Sequence, residues 1–191
     1  MKPAIRHTPP KDLFLYARAF HKAAKTLAAS FQPDSVTDLD ASPVVFMYRQ
    51  AVELHLKAIV LGEGGNFLAT KPDHISVSKT HSVSWLAQFV RQIVTALKWE
   101  REFKCEGIEN MWDFKAIIEK LNAVDPGSYS FRCPVDPKAE SAVREFGRKM
   151  DAVIGLLDST ADALAAEWDM RSDGVAIEGG WNGGGFEPTI Q

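Results

Sequence analysis

Apolar residues recur at three- and four-residue steps in five stretches of the chain, and no stretch alternates as a strand would. The first covers about residues 11 to 31, where Leu13, Tyr16, Phe20, Leu27 and Phe31 share one helical face. Ser42 and Pro43 read as an N-cap and first helical position, opening a second helix that stops at "GEGG" after Leu61. A polar loop, "NFLATKPDHISVSKTH", leads to a third helix over about Ser82 to Lys98, patterned by Val83, Leu86, Val90, Ile93 and Leu97. A fourth, about Glu106 to Val124, carries Ile108, Met111, Phe114, Ile118 and Leu121. "DPGSYSFRCPVDP" is rich in turn formers. Asp136 and Pro137 then open a long fifth helix to about Trp168, with Val143, Phe146, Met150, Val153, Leu157, Leu164 and Trp168 on one side.

Five amphipathic helices joined by loops predict an all-α, up-and-down bundle over residues 1–168. The last 18 residues hold six of the chain's 13 glycines, a composition too poor in buriable surface to order itself. Residues 169–191 are therefore expected to be a flexible tail, ordered only by docking Trp181 and Phe186.

The second helix poses the chemical question. Arg49, Glu53 and Lys57 stand at successive four-residue steps and form one narrow stripe. The remaining circumference is almost wholly apolar, which marks a buried central helix. Buried charges must pair or meet a cavity. An ion-pair ladder centred on Glu53 satisfies that need, and a catalytic stripe is the other reading. His55 points about 120° away from Arg49 and sits with Tyr48, Val52 and Ile59. It reads as a satisfied core histidine or as a catalytic base.

Composition adds bounds. At 191 residues with 46% apolar and 25% charged residues, the chain is an ordinary globular domain of net charge −3. The start lacks the apolar run of a signal peptide, and no stretch is apolar enough to span a membrane. Two cysteines, Cys105 and Cys133, do not make a disulfide framework and fit free thiols in a cytoplasmic protein. Residues 1 to 25 hold six Lys or Arg against one acid, Asp12. Among them Lys11, Arg18, Lys22 and Lys25 fall within about 60° on a helical wheel. That set is either a face for tracking phosphates or a solvated helix surface. His74 and His81, with Asp73, lack a recognised metal-ligand spacing. His81 is expected to cap or pack at the start of the third helix. No metal or cofactor is expected, since no Walker, Rossmann, zincin or hydrolase motif is present.

"AFHKAAKTLAASF", "RQAVELHLKAIVLG" and "KTHSVSWLAQFV", followed by "IIEKLNAVDPGSYSFRCP", resemble the HEPN superfamily of small helical bundles, over about residues 11 to 158. The resemblance implies a homodimer and metal-independent ribonuclease chemistry, in bacterial stress, toxin–antitoxin or defence roles. In that chemistry an arginine stabilises developing phosphate charge and a histidine four to six residues later moves the ribose 2′-hydroxyl proton. Here the last core helix has Arg144 and Arg148 but no histidine. Arg49 and His55 match the spacing, in the second helix. Arg132, in the "SYSFRCP" loop, is the other candidate arginine. The expected site is thus Arg132, His55 and Glu53 for catalysis, with Arg49, Lys57 and the cations of the first helix holding RNA or a nucleotide. The alternative is a non-catalytic module for protein partners or dimerisation, with a structural ion-pair seam.

Overall fold

The computed structural model describes residues 10–30, 38–124, 139–172, 178–181 and 186–189. It is mostly helical, with α1 (Pro10–Ser30), α2 (Asp38–Leu61), α3 (His74–Lys79), α4 (Val83–Leu97), α5 (Met111–Val124) and α6 (Ala139–Ser172). A 3₁₀ turn (Glu63–Phe67) follows α2, and two short strands, β1 (Glu178–Trp181) and β2 (Phe186–Thr189), close the chain.

The apolar girth of α2 makes it the hub. It packs against α1, α3, α4 and α6 and buries Tyr48, Val52, Leu56 and Ile59. From the other helices Leu86, Val90, Ile93, Phe114, Ile118, Met150, Val153 and Leu157 complete the core.

Several boundaries differ from the sequence reading. The second helix begins at Asp38, so Pro43 lies inside it. Its missing N–H removes only one hydrogen bond near the helix start, a tolerable loss there. The "GEGG" stretch is more than a stop signal. A Cβ added at Gly64 or Gly65 would sit 2.6 or 2.5 Å from the carbonyl oxygen of Ile59 or Val60. Only glycine lets the 3₁₀ turn fold back onto the last carbonyls of α2.

The polar loop before α4 contains α3, which has too few residues to show a period. Asp73 starts it, its carboxylate accepting from the Ser76 N–H at 2.9 Å. Ser82 caps α4 in the same way through Trp85 N–H, and Lys98 ends α4 in the left-handed conformation. The fourth predicted helix starts five residues late, at Met111. Gly107 with φ +83° and a Cys105–Ile108 bridge make a tight turn first, and Asn110 Oδ1 then accepts from the N–H groups of Trp112 and Asp113.

The apolar face of α1 is turned from its expected position. Tyr16 is 59% exposed and Leu15 is exposed beside it. Ala17 and Ala24 are buried, with Phe14, Phe20 and Leu27 packed around them. Two alanines seven residues apart allow the α1 backbone to approach α2 closely, so the small residues face inward. Trp112, in the first turn of α5, is 73% exposed.

The fifth predicted helix ends later than expected, at Ser172 rather than Trp168. Its expected start at Asp136 lies outside the described residues. The tail is not wholly without structure. Strands β1 and β2 pair antiparallel, with Trp181 opposite Phe186, and β2 lies near α6. Strands of four residues are too short for alternation to reveal.

Candidate functional site

The stripe on α2 is an ion-pair ladder. Arg49 Nη1 donates to Glu53 Oε2 at 2.9 Å, and Lys57 Nζ donates to Glu53 Oε1 at 2.8 Å. All three residues are buried, at 1%, 1% and 5% exposure. The cations also serve the backbone beyond their own helix. Lys57 Nζ donates to the Ser78 carbonyl at 3.0 Å, and Arg49 Nη2 donates to the His81 carbonyl at 2.5 Å. The Ser78 carbonyl belongs to the last turn of α3, which has no further helical donors of its own. The ladder therefore caps α3 and fastens the lead into α4, which explains three charges inside so apolar a helix.

His81 joins this seam. Its Nδ1 lies 3.1 Å from Glu53 Oε1, with the side chain partly exposed at the edge of the cluster. Glu53 thus gathers a guanidinium, an ammonium and an imidazole around one carboxylate. Such a group cannot turn toward a ligand without leaving charges buried and unpaired. Removing one partner of a buried pair costs about 3–5 kcal/mol.

His55 leaves α2 on another side, as its wheel position predicts. It is fully buried. Its Nδ1 meets the Ala51 carbonyl at 2.8 Å and its Nε2 meets Asp158 Oδ1 of α6 at 3.1 Å. Arg18 of α1 donates to the same Asp158 oxygen through Nε and Nη2, at 3.3 and 3.2 Å. Burial pushes the Asp158 pKa up, but the bond and charge of His55 and the charge of Arg18 outweigh it. The carboxyl stays below its ordinary range.

One heptad earlier on α6, Asp151 makes a second cluster. His21 Nε2 of α1 lies 2.6 Å from Asp151 Oδ1, and Tyr48 of α2 donates its hydroxyl to that oxygen at 3.1 Å. Lys25 Nζ stands 4.0 Å from Asp151 Oδ2. Burial, the Asp151 charge and this hydrogen bond together push the Tyr48 phenol pKa strongly upward.

Within the basic set of α1, Arg18 and Lys25 reach the carboxylates of α6 from the surface. All four cations, Lys11 and Lys22 included, are exposed, and two of them stand at acids of the same bundle. Arg49 and His55 do not converge: one meets Glu53 and the other Asp158. Arg132 and Cys133 lie outside the described residues, as does the side chain of Arg144.

His21, Asp151 and Asp158 were not singled out from the sequence. The available signal was their spacing. His21 stands seven residues from Phe14 and from Ala28, within the inward stripe of α1. Asp151 and Asp158 are likewise seven apart, next to the core positions Met150 and Leu157 of α6.

Beside Asp151 opens a cleft of about 580 Å³, bordered by Cys105, Arg148, Lys149, Gly155 and Ser159 among others. Cys105 is a free thiol whose pKa is pushed up by burial and by the charges of Glu109 and Glu106, which disfavours a reactive thiolate. Among the described residues no group of three or more His, Cys, Asp or Glu is placed to hold a metal, and no helix is long and apolar enough to cross a membrane. Comparison with protein-family models, curated proteins and solved structures finds no match to this chain.

Proposed function

We propose that this chain is a HEPN-like helical bundle acting as a non-catalytic interaction or dimerisation module, with the α2 ladder as its structural seam. The carrying observation is the saturation of that ladder. Arg49, Glu53 and Lys57 are buried, bonded to one another, and bonded to the carbonyls of Ser78 and His81. Cations so engaged are poor phosphate ligands, because releasing them would strand Glu53. Contacts to a partner then fall to the bundle surface, where Leu15, Tyr16 and Trp112 expose large apolar area.

A second reading, an RNA- or nucleotide-binding bundle in a stress, toxin–antitoxin or defence role, is favoured by the cleft on α6. Arg148 and Lys149 border it with Ser159 and the open backbone at Gly155, together with the acids Glu106, Glu145 and Asp151, of which Glu145 pairs with Lys149. A guanidinium at the wall of a cleft is suited to a phosphate.

One experiment separates the two. Purified protein is incubated with a mixed RNA pool without metal, alongside Glu53→Gln, Arg148→Ala and Arg132→Ala, with urea unfolding of each. For the module, wild type neither binds nor cleaves RNA, and Glu53→Gln lowers the unfolding midpoint. RNA binding or cleavage lost in Arg148→Ala or Arg132→Ala at unchanged stability would replace it with the second reading.

A further inference from the structure

Trp112 is the most exposed large apolar side chain among the described residues, yet its setting is fixed. Asn110 Oδ1 accepts from its backbone N–H at 2.8 Å and so anchors the first turn of α5. Lys115, one turn further on, sets its ammonium 5.4 Å from the centre of the indole. A large flat side chain held on a rigid helix loses little conformational freedom when a partner covers it. Tryptophans of this kind are frequent anchors of protein interfaces.

Lys115 is also one wall of a hollow of about 280 Å³ between α4 and α5. The floor is made by Phe114 and Ile118 of α5 and Ala87 of α4, all buried. The methyl group of Ala87 is too small to fill the space between the two helices. Met111, the neighbour of Trp112, lines the same hollow, so indole and hollow belong to one surface. Small-molecule sites span roughly 300–1,000 Å³, and this volume, just below that range, suits one large side chain.

The rim sets the charge of the occupant. Lys115 is paired with Glu119 at 3.5 Å. Arg91 of α4 is exposed at the same rim and has no ion-pair or hydrogen-bond partner among the described residues. A free guanidinium at the edge of an apolar hollow suits a carboxylate. A phosphate chain fits less well, because Glu119 stands on that rim and the whole chain carries a net charge of −3.

We infer that the groove between α4 and α5 docks a segment of a partner protein, which inserts one large apolar side chain over Phe114 and Ile118, lies against Trp112 and sets a carboxylate on Arg91. Resting on the interaction-module reading, this site gives the module its surface and its partner's chemistry: an apolar anchor beside Asp or Glu.

The probe is a phage-displayed library of short random peptides panned on the full chain. The affinity of the enriched peptide, made synthetically, is then measured by fluorescence anisotropy. Enriched sequences should share a large apolar residue next to Asp or Glu. Trp112→Ala should weaken binding about thirtyfold, the level of an interface hot spot. Arg91→Glu should weaken it about tenfold, more at low salt. Both side chains are exposed, so urea unfolding midpoints should stay at the wild-type value. Ala87→Leu fills the hollow and should abolish binding; if it does not fold, the two rim variants decide. A peptide that binds both rim variants as tightly as wild type overturns this site, and its loss on Tyr16→Ala instead leaves the module reading standing on α1. No enrichment on wild type overturns both. Dimerisation in sedimentation that Trp112→Ala abolishes gives the groove to a second copy of this chain and overturns the inference. So does binding of a single-stranded RNA pool that is lost in Trp112→Ala and Arg91→Glu.

Discussion

The two polar regions of this bundle use similar side chains to different ends. On one side of α2, Arg49 and Lys57 share Glu53, all nearly without solvent contact and all on one helix. On the other side, Asp151 and Asp158 of α6 reach His21, Arg18 and Lys25 of α1 and His55 and Tyr48 of α2, with several partners partly exposed. The first cluster is local in sequence and fixes a short connection. The second joins residues more than a hundred positions apart and decides how α1 sits on the bundle. Burial sets their energetics: an enclosed charge is costly to leave alone, whereas an exposed one is returned to water.

Breaking the comparison at its strongest point means Glu53→Ala. It should cost about 3–5 kcal/mol in urea unfolding, because two buried cations lose their counter-charge. Replacing Arg49, Glu53 and Lys57 together by Met, Leu and Met should recover most of that loss.

The next effect belongs to Asp158→Asn, at about 1.5–3 kcal/mol near neutral pH, the range for a bond to a charged group. Its pH dependence sharpens the contrast. The Asp158 pKa is depressed by folding, so its contribution is present above the ordinary carboxylate value of about 3.9. It is lost as pH falls from there through the folded value. Acid titration of the unfolding midpoint should show wild type losing more stability than Asp158→Asn in that window.

The smallest effect is Arg18→Ala. Its side chain is half exposed, so urea unfolding should change by no more than about 1 kcal/mol, less at high salt.

Legibility in the sequence followed the same division. The ladder could be read because Arg49, Glu53 and Lys57 stand one helical turn apart in a segment of unmistakable pattern. The four-helix frame of α2, α4, α5 and α6 came from apolar spacing, and α4 came with both ends in place. The α6 carboxylates were not legible, because nothing local says which distant helix meets Asp151 or Asp158. The face of α1 is rotated from the one its larger apolar residues mark, because Ala17 and Ala24 permit a close approach that apolar spacing does not register. Helix α3 escaped because six residues cannot display a period, although its Asp73 cap was present in the sequence.

That short helix carries a further consequence. A helix of six residues does not persist alone in water, since nucleation costs more than so few bonds return. The last turn of α3 is held by an ammonium that α2 delivers only when it is itself folded and paired. Helix α3 is therefore a passenger, its stability dependent on that of α2. Its amides make a natural gauge of the state of the central helix.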